Sequence, residues 1–167
     1  MVPLPPCLLY DVDLPEDIAA TPLAEFPPHV LLPDDHRLAR AGEVSLHDLV
    51  ALPMILLDVP PSRSYFLGLM RGQGLEPDVV HSSPSLELVR GLVGQGLGYS
   101  LLVTRPPDDV TYGGRSLAIR SIKEQVEAGR IAPVRLSNLR PTRLMLAFET
   151  FARGFFRERQ EEEENHG

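Results

Sequence analysis

Chemistry has few places to come from in this 167-residue chain. Its five histidines, His29, His36, His47, His81 and His166, show no metal-ligand spacing such as a pair at i and i+4 on a helix. Structural or surface roles are expected for them, and no metal site. Serine, histidine and aspartate all occur, but no G-x-S-x-G turn presents a serine as a nucleophile. Cys7 is the only cysteine, so the chain has no internal disulfide and no multi-cysteine zinc site. It sits beside an apolar run and suits a small filler better than a nucleophile. No catalytic residue, no cofactor and no enzymatic activity are expected. Gly94, Gly96 and Gly98 in GQGLGYS invite a dinucleotide-loop reading, but that fingerprint follows a strand and opens a helix. Here the glycines close a helix and open a strand, the pattern of a helix stop and tight turn.

Two loops carry groups that can hold a ligand. Pro60, Pro61, Ser62, Arg63 and Ser64 follow an apolar run of strand length and lead into a helix start. Ser82, Ser83 and Ser85 make a second such start. Backbone N–H groups at a helix amino terminus, hydroxyls and one guanidinium suit a carboxylate or other oxyanion. In open α/β sheets ligands sit at the carboxyl edge of the strands. Ordinary capping beside a surface arginine explains each loop equally well alone; two of them at one sheet edge favour ligand binding.

The elements that must position these loops alternate in type. LLY at 8–10 and HVLLP at 29–33 read as strands, with the acidic loop DVDLPEDI after the first. DDHRLARAGEV reads as polar and irregular. Ser45 can cap a short helix carrying Leu46, Leu49 and Val50, with Asp48 at the capping-box position. MILLD at 54–58 is a continuous apolar run of buried-strand length. The following helix has an apolar face of Tyr65, Phe66, Leu69 and Met70 and stops at Gly72 and Gly74. DVVH at 78–81 is a short strand. Ser83 as N-cap and Pro84 at the first helical position then open a helix with the stripe Leu86, Val89, Leu92 and Val93. LGYSLLV and SLAIRSI read as strands, EQVEAGR is indeterminate, and APVRLSNL is another strand. A last helix from about Pro141 to Gln160 lines up Leu144, Phe148, Phe151 and Phe155. This alternation implies an α/β fold with a parallel or mixed sheet and helices on both faces.

Composition narrows the function classes. Hydrophobic residues make up 43%, enough for a packed core, and no apolar run approaches the ~20 residues of a membrane helix. The first residues lack the basic start and long apolar stretch of a signal peptide, which points to the cytoplasm. Net charge is −7, with seven acidic residues before the first basic one, Arg37, and an acidic cluster in RERQEEEENHG. Such a surface repels phosphate backbones, so no direct nucleic-acid contact and no membrane contact are expected.

The segment VSLHDLVALPMILLDVPPSRSYFLGLMRGQGLEPDVVHSSPSLELVRGLVGQGLGYSLLVTRP closely resembles the effector-binding domain of LysR-type transcriptional regulators. VSLHDL, the LLD-PPSR-YF passage, GLEP and LVRGLVGQGLGYSLL carry the resemblance. LLYDVDLPEDIAATPLAEFPPHVLLPDDHRLA looks like the family's passage between its two lobes, and RPTRLMLAFETFARGFF like its closing helix. The resemblance implies a periplasmic-binding-protein-like (type 2) fold of two Rossmann-like lobes, with a small effector in the cleft between them.

Carried onto this chain, residues 1–26 would be a remnant of the first lobe and 27–132 a complete second lobe. Residues 133–160 would be the return strand and closing helix of the first lobe, and 161–167 an acidic disordered tail. The effector would meet Pro61, Ser62, Arg63 and Ser64, with Ser83 and Ser85 secondary, and Tyr10 and Asp11 would face the cleft from the first lobe. The family's winged helix-turn-helix and the start of its first lobe have no counterpart in this sequence, so a truncated, regulator-derived chain is expected. Its partners would be a small, anionic effector and either a second copy or a related full-length regulator; a non-functional gene fragment is the other reading. A closing helix without its lobe leaves an apolar patch of a kind soluble monomers hide, and self-association or marginal stability is expected.

Overall fold

The computed structural model describes residues 7–10 and 14–164. They divide into two compact units, one of residues 27–128 and one of the flanking segments.

In the 27–128 unit, β4 (His29–Pro33) runs between β8 (Ser100–Leu102) and β9 (Leu117–Ile122), antiparallel to both. The short β5 (Glu43–Val44) adds parallel to β9. β6 (Pro53–Leu57) and β7 (Asp78–Ser83) pair in parallel, with Leu57 opposite Ser83. One parallel bridge between Met54 and Tyr99 joins β6 to β8. The Ile55 N–H donates to the Tyr99 carbonyl at 2.8 Å, and the Tyr99 N–H to the Pro53 carbonyl at 3.0 Å. The strands therefore run continuously in the order β5-β9-β4-β8-β6-β7, a mixed sheet.

Both faces of that sheet are apolar, which explains why its central strands read as unbroken hydrophobic runs. Alternate residues feed opposite cores. Val30, Leu32, Met54, Leu56 and Leu101 pack with Phe66 and Met70 of α2 (Ser62–Gly72) and with Leu46 and Leu49 of α1 (Leu46–Leu49). Leu31, Ile55, Leu102 and Leu117 pack on the other face with Val89 and Val93 of α3 (Leu86–Gly94). At ~25 cal/mol per Å2, each fully buried leucine or isoleucine contributes about 1.5–3 kcal/mol, so these two layers dominate the unit's stability.

Several local expectations are corrected. Ser45 does cap α1, but the reciprocal acid is Glu124, 79 residues away in sequence, not Asp48. The Ser45 hydroxyl donates to one Glu124 oxygen, and the Leu46 N–H donates to the other at 3.0 Å. Burial works to raise the Glu124 pKa, yet these donors outweigh it and hold the carboxyl below its ordinary value. The N-cap of α3 is Ser85, whose Oγ accepts from the Leu88 N–H, rather than Ser83. Ser83 ends β7 and its Oγ accepts from the Ser85 N–H at 3.0 Å. The polar 34–44 stretch holds a 3-10 turn at Arg37–Arg40 that buries Leu38 and Ala39, capped by His36 Nδ1.

The glycines after α3 act as a stop. Gly96 has φ +78°, and Gly96 and Leu97 return their N–H groups to the Val93 and Leu92 carbonyls. Gly98 is held by contact: a Cβ there would lie 2.3 Å from the Pro53 carbonyl oxygen. Only glycine lets β8 lie this close to β6.

In the other unit, β10 (Gly129–Leu136) pairs antiparallel with β1 (Cys7–Tyr10), β2 (Ile18–Ala20) and β3 (Ala24–Phe26). β10 starts three residues before the sequence-based strand, because Gly129–Ile131 find partners on β3. α4 (Arg143–Glu164) runs four residues beyond its expected end, as glutamates favour helix. Ala152 is buried, and Phe156 meets Phe26 of β3 edge-on at 6.1 Å. Leu144, Phe151 and Phe155 stay exposed, Phe151 at 72%.

Candidate functional site

Strand directions decide which loops meet. Since β6 and β7 are parallel and end together, the turn from β6 into α2 and the turn from β7 into α3 lie side by side at one sheet edge. The Asp58 N–H donates to the Ser83 carbonyl at 2.8 Å, tying the two turns at their roots. β8 runs the same way as β6, so the chain leaves β8 after Leu102 at this edge. β4 runs the opposite way, so its first residue, His29, opposite Leu102, belongs to the same edge.

The β6–α2 turn is made of Asp58, Val59, Pro60 and Pro61, with a cis Pro60–Pro61 bond, and α2 begins at Ser62. Arg63 donates to Asp58 Oδ2 at 2.8 Å, and both side chains stay open to solvent at 53% and 36%. An exposed pair of this kind is worth about 0–1 kcal/mol, so an incoming anion can compete with Asp58 for the guanidinium. The Ser64 hydroxyl donates to the Pro61 carbonyl at 2.9 Å, closing the first turn of α2. Ser62 makes no side-chain hydrogen bond among the described residues. In the neighbouring turn Ser83 is buried and committed to Ser85, and Ser85 to the α3 cap.

Pro61, Ser62, Arg63, Ser64, Ser83 and Ser85 are thus brought to one edge, although Ser85 is spent capping α3 and the Ser83 hydroxyl accepts from the Ser85 N–H. Tyr10 ends β1, in the other unit, and Asp11 lies outside the described residues.

His29, expected from sequence to have a structural or surface role, lies at this edge. His29 is 91% buried by its 9% relative exposure, and its Nε2 has no hydrogen-bond partner among the described residues. Burial, reinforced by the charge of Arg105, lowers its pKa to about 4, so the imidazole is neutral near pH 7. Arg105 itself is exposed. Ser100 Oγ and the Tyr99 hydroxyl are also buried without partners, and burial pushes the Tyr99 pKa up. No sequence pattern marks these residues, because each is a single polar side chain inside an apolar strand.

Arg90 is another buried polar group that the sequence reading did not single out. Only 5% exposed on α3, it pairs with Glu87 at 2.7 Å and donates to the Asp108 and Val110 carbonyls, pinning the 108–110 loop. Among the described residues no cluster of His, Cys, Asp or Glu is arranged to hold a metal ion. No helix among them is long and apolar enough to cross a membrane.

A mixed α/β lobe with polar turns along one sheet edge is the architecture of small-molecule-binding domains of the periplasmic-binding-protein type. The family model for the LysR substrate binding domain matches residues 7–157, and the chain belongs to that family. Its fold is the periplasmic-binding-protein-like type 2 fold of LysR effector-binding domains. The crystal structure of HinK, a LysR family transcriptional regulator from Pseudomonas aeruginosa, is similar with 44% identity and TM-score 0.82 over 89% of this chain and 52% of that one. The C-terminal domain of a LysR family regulator from Rhodococcus sp. RHA1 is similar with 34% identity and TM-score 0.81, over 89% of this chain and 74% of that one. An uncharacterized HTH-type transcriptional regulator of Escherichia coli K12, YnfL, is 32% identical over 98 residues, 57% of this chain and 33% of that protein. The chain thus spans about half the length of HinK and a third of YnfL.

Proposed function

We propose that this chain is an effector-binding regulatory domain that takes a small anionic metabolite at the edge formed by Pro61–Ser64 and Ser83–Ser85, without itself contacting DNA. The carrying observation is the level ending of β6 and β7, with Leu57 opposite Ser83, which sets two helix starts side by side. The half-buried hydroxyl of Ser62, the weakly held guanidinium of Arg63 and the backbone N–H groups of Ser62 and Ser64 offer donors to an oxyanion, the Arg63 N–H being given to the Val59 carbonyl. Two effector-binding domains of this fold, those of QuiR with shikimate and BenM with benzoate, hold carboxylate-bearing ligands, at 20% and 17% identity to this chain. A net charge of −7 disfavours a nucleic-acid role for these residues. Residues 27–128 act as one lobe, and the flanking segments, with β10 starting at Gly129, belong to the other. The domain acts in the cytoplasm and performs no chemistry on its ligand.

A panel of small carboxylates screened by calorimetry and thermal shift tests this reading. Removing one charged hydrogen bond costs about 1.5–3 kcal/mol, so Arg63→Ala is expected to weaken the best acid roughly 10- to 100-fold, and Ser62→Ala by less. Binding that ignores both substitutions, or a panel with no ligand at all, would overturn it.

A second reading has its own observation. The exposed Leu144, Phe151 and Phe155 of α4 are a surface through which the chain could pair with a second copy or a related full-length regulator. Co-purification with such a regulator, lost on Phe151→Glu, would favour it.

A further inference from the structure

We infer that the sheet edge of the 27–128 unit carries a second oxyanion subsite, formed by the Arg105 guanidinium and the His29 imidazole, that holds the charged end of the effector. The inference rests on the sensor reading above and adds to it the groups that select an acid.

Four observations converge. First, Arg63 is already offset by Asp58 at 2.8 Å, so the turn after β6 carries no net charge of its own. Second, Arg105 is exposed three residues past Leu102 and makes no hydrogen bond or ion pair among the described residues. β8 runs parallel to β6, so the segment carrying Arg105 leaves the sheet at the edge where β6 turns into α2. Third, His29 stands opposite Leu102 at the start of β4, and Arg105 is the charged group whose field it feels. Fourth, His29 Nε2 is buried with no partner, although natural folds leave few polar atoms in that state. A hydrogen-bonding group orphaned next to an unpaired guanidinium gains most from an oxygen arriving between them.

The chemistry follows from the protonation states. A neutral imidazole adds no charge, so the attraction is supplied by Arg105 and the second contact is a hydrogen bond. Arginine presents two parallel N–H donors, which match the two oxygens of a carboxylate or phosphate. The ligand class is a small oxyanion with one acidic group at Arg105 and a polar or apolar body reaching toward Ser62. His29 is a positioning residue for the bound oxygen.

The test uses the full chain, uniformly 15N-labelled, titrated with acetate and separately with inorganic phosphate against chloride at matched ionic strength. Saturable shifts of the His29 ring and of the Leu102–Arg105 amides are expected with at least one oxyanion and not with chloride. Arg105→Gln should weaken this binding at least tenfold, Arg105→Lys should recover part of it, and Arg115→Gln, at another exposed arginine, should change nothing. His29→Leu should weaken it while circular dichroism stays unchanged. If the carboxylates of the panel lose affinity on Arg63→Ala but not on Arg105→Gln, this inference fails and the sensor reading stands. If no acid binds the wild-type chain, both fail. If the oxyanion shifts persist in Arg105→Gln, the subsite is elsewhere.

Discussion

Acidification should destabilise this protein through His29. His29 titrates at about 4 when folded against 6.5 when not. Above pH ~6.5 both forms are neutral and the group has no effect. Between ~6.5 and ~4 the unfolded chain binds a proton that the buried imidazole refuses, so stability falls as pH falls and levels off below ~4. At ~1.4 kcal/mol per unit the whole gap is worth about 3 kcal/mol, and about 2 kcal/mol of it is spent between pH 7 and 4.5. Domain stabilities are only ~5–15 kcal/mol, so the effect is large. Burial is the leading cause and Arg105 the lesser one. Arg105→Gln should therefore recover only a small, salt-sensitive part. The assay is urea unfolding at pH 7 and 4.5, comparing the wild type with His29→Leu, a residue that suits a strand between Leu31 and Leu102. Carboxylate titration is common to both proteins and cancels. The variant should lose about 2 kcal/mol less than the wild type between the two pH values. Equal losses would show that His29 is not held neutral by its surroundings, and the reasoning would be refuted.

Other outcomes follow from single contacts. Gly98→Ala drives a Cβ to 2.3 Å from the Pro53 carbonyl oxygen and should cost about 1–3 kcal/mol or more, read as a lower melting temperature. Glu124→Ala removes the partner of both Ser45 and the Leu46 N–H; a loss of about 1–2 kcal/mol in urea unfolding is expected, whereas Asp48→Ala should be near neutral. The exposed face of α4 should drive self-association at high concentration, and Leu144→Glu with Phe151→Glu should abolish it by light scattering. A monodisperse wild-type monomer with a cooperative, high melting point would contradict that expectation.

Much of the fold was legible because its signals are local or periodic. The apolar runs at HVLLP and MILLD, the 3.6-residue stripes of α2 and α3, and the glycine stop after α3 each depend on neighbours within a few residues. The alternation of strand and helix then restricts the architecture to an α/β sheet covered on both faces. The family resemblance rested on the same ordered segments. The sequence also marked the two turns of greatest interest, since prolines and serines after an apolar run report a strand end and a helix start.

What the residues could not state by themselves is which groups at those turns are already occupied. Ser83 looked like a helix cap and is the last residue of a strand; Ser85 caps instead, because β7 extends two residues further to pair with Leu57 of β6. Asp48 has the spacing of a capping partner, but Glu124 is brought to Ser45 by the β5–β9 pairing, and its carboxylate accepts from both Ser45 and the Leu46 N–H. Arg63 looked like a free cation and is paired with Asp58, whereas His29, hidden in an apolar strand, acquires its low pKa only from burial and from Arg105. Periodicity and turn chemistry are properties of contiguous residues and survive in one dimension. Hydrogen-bond occupancy and desolvation depend on atoms distant in sequence, and only the folded sheet decides them.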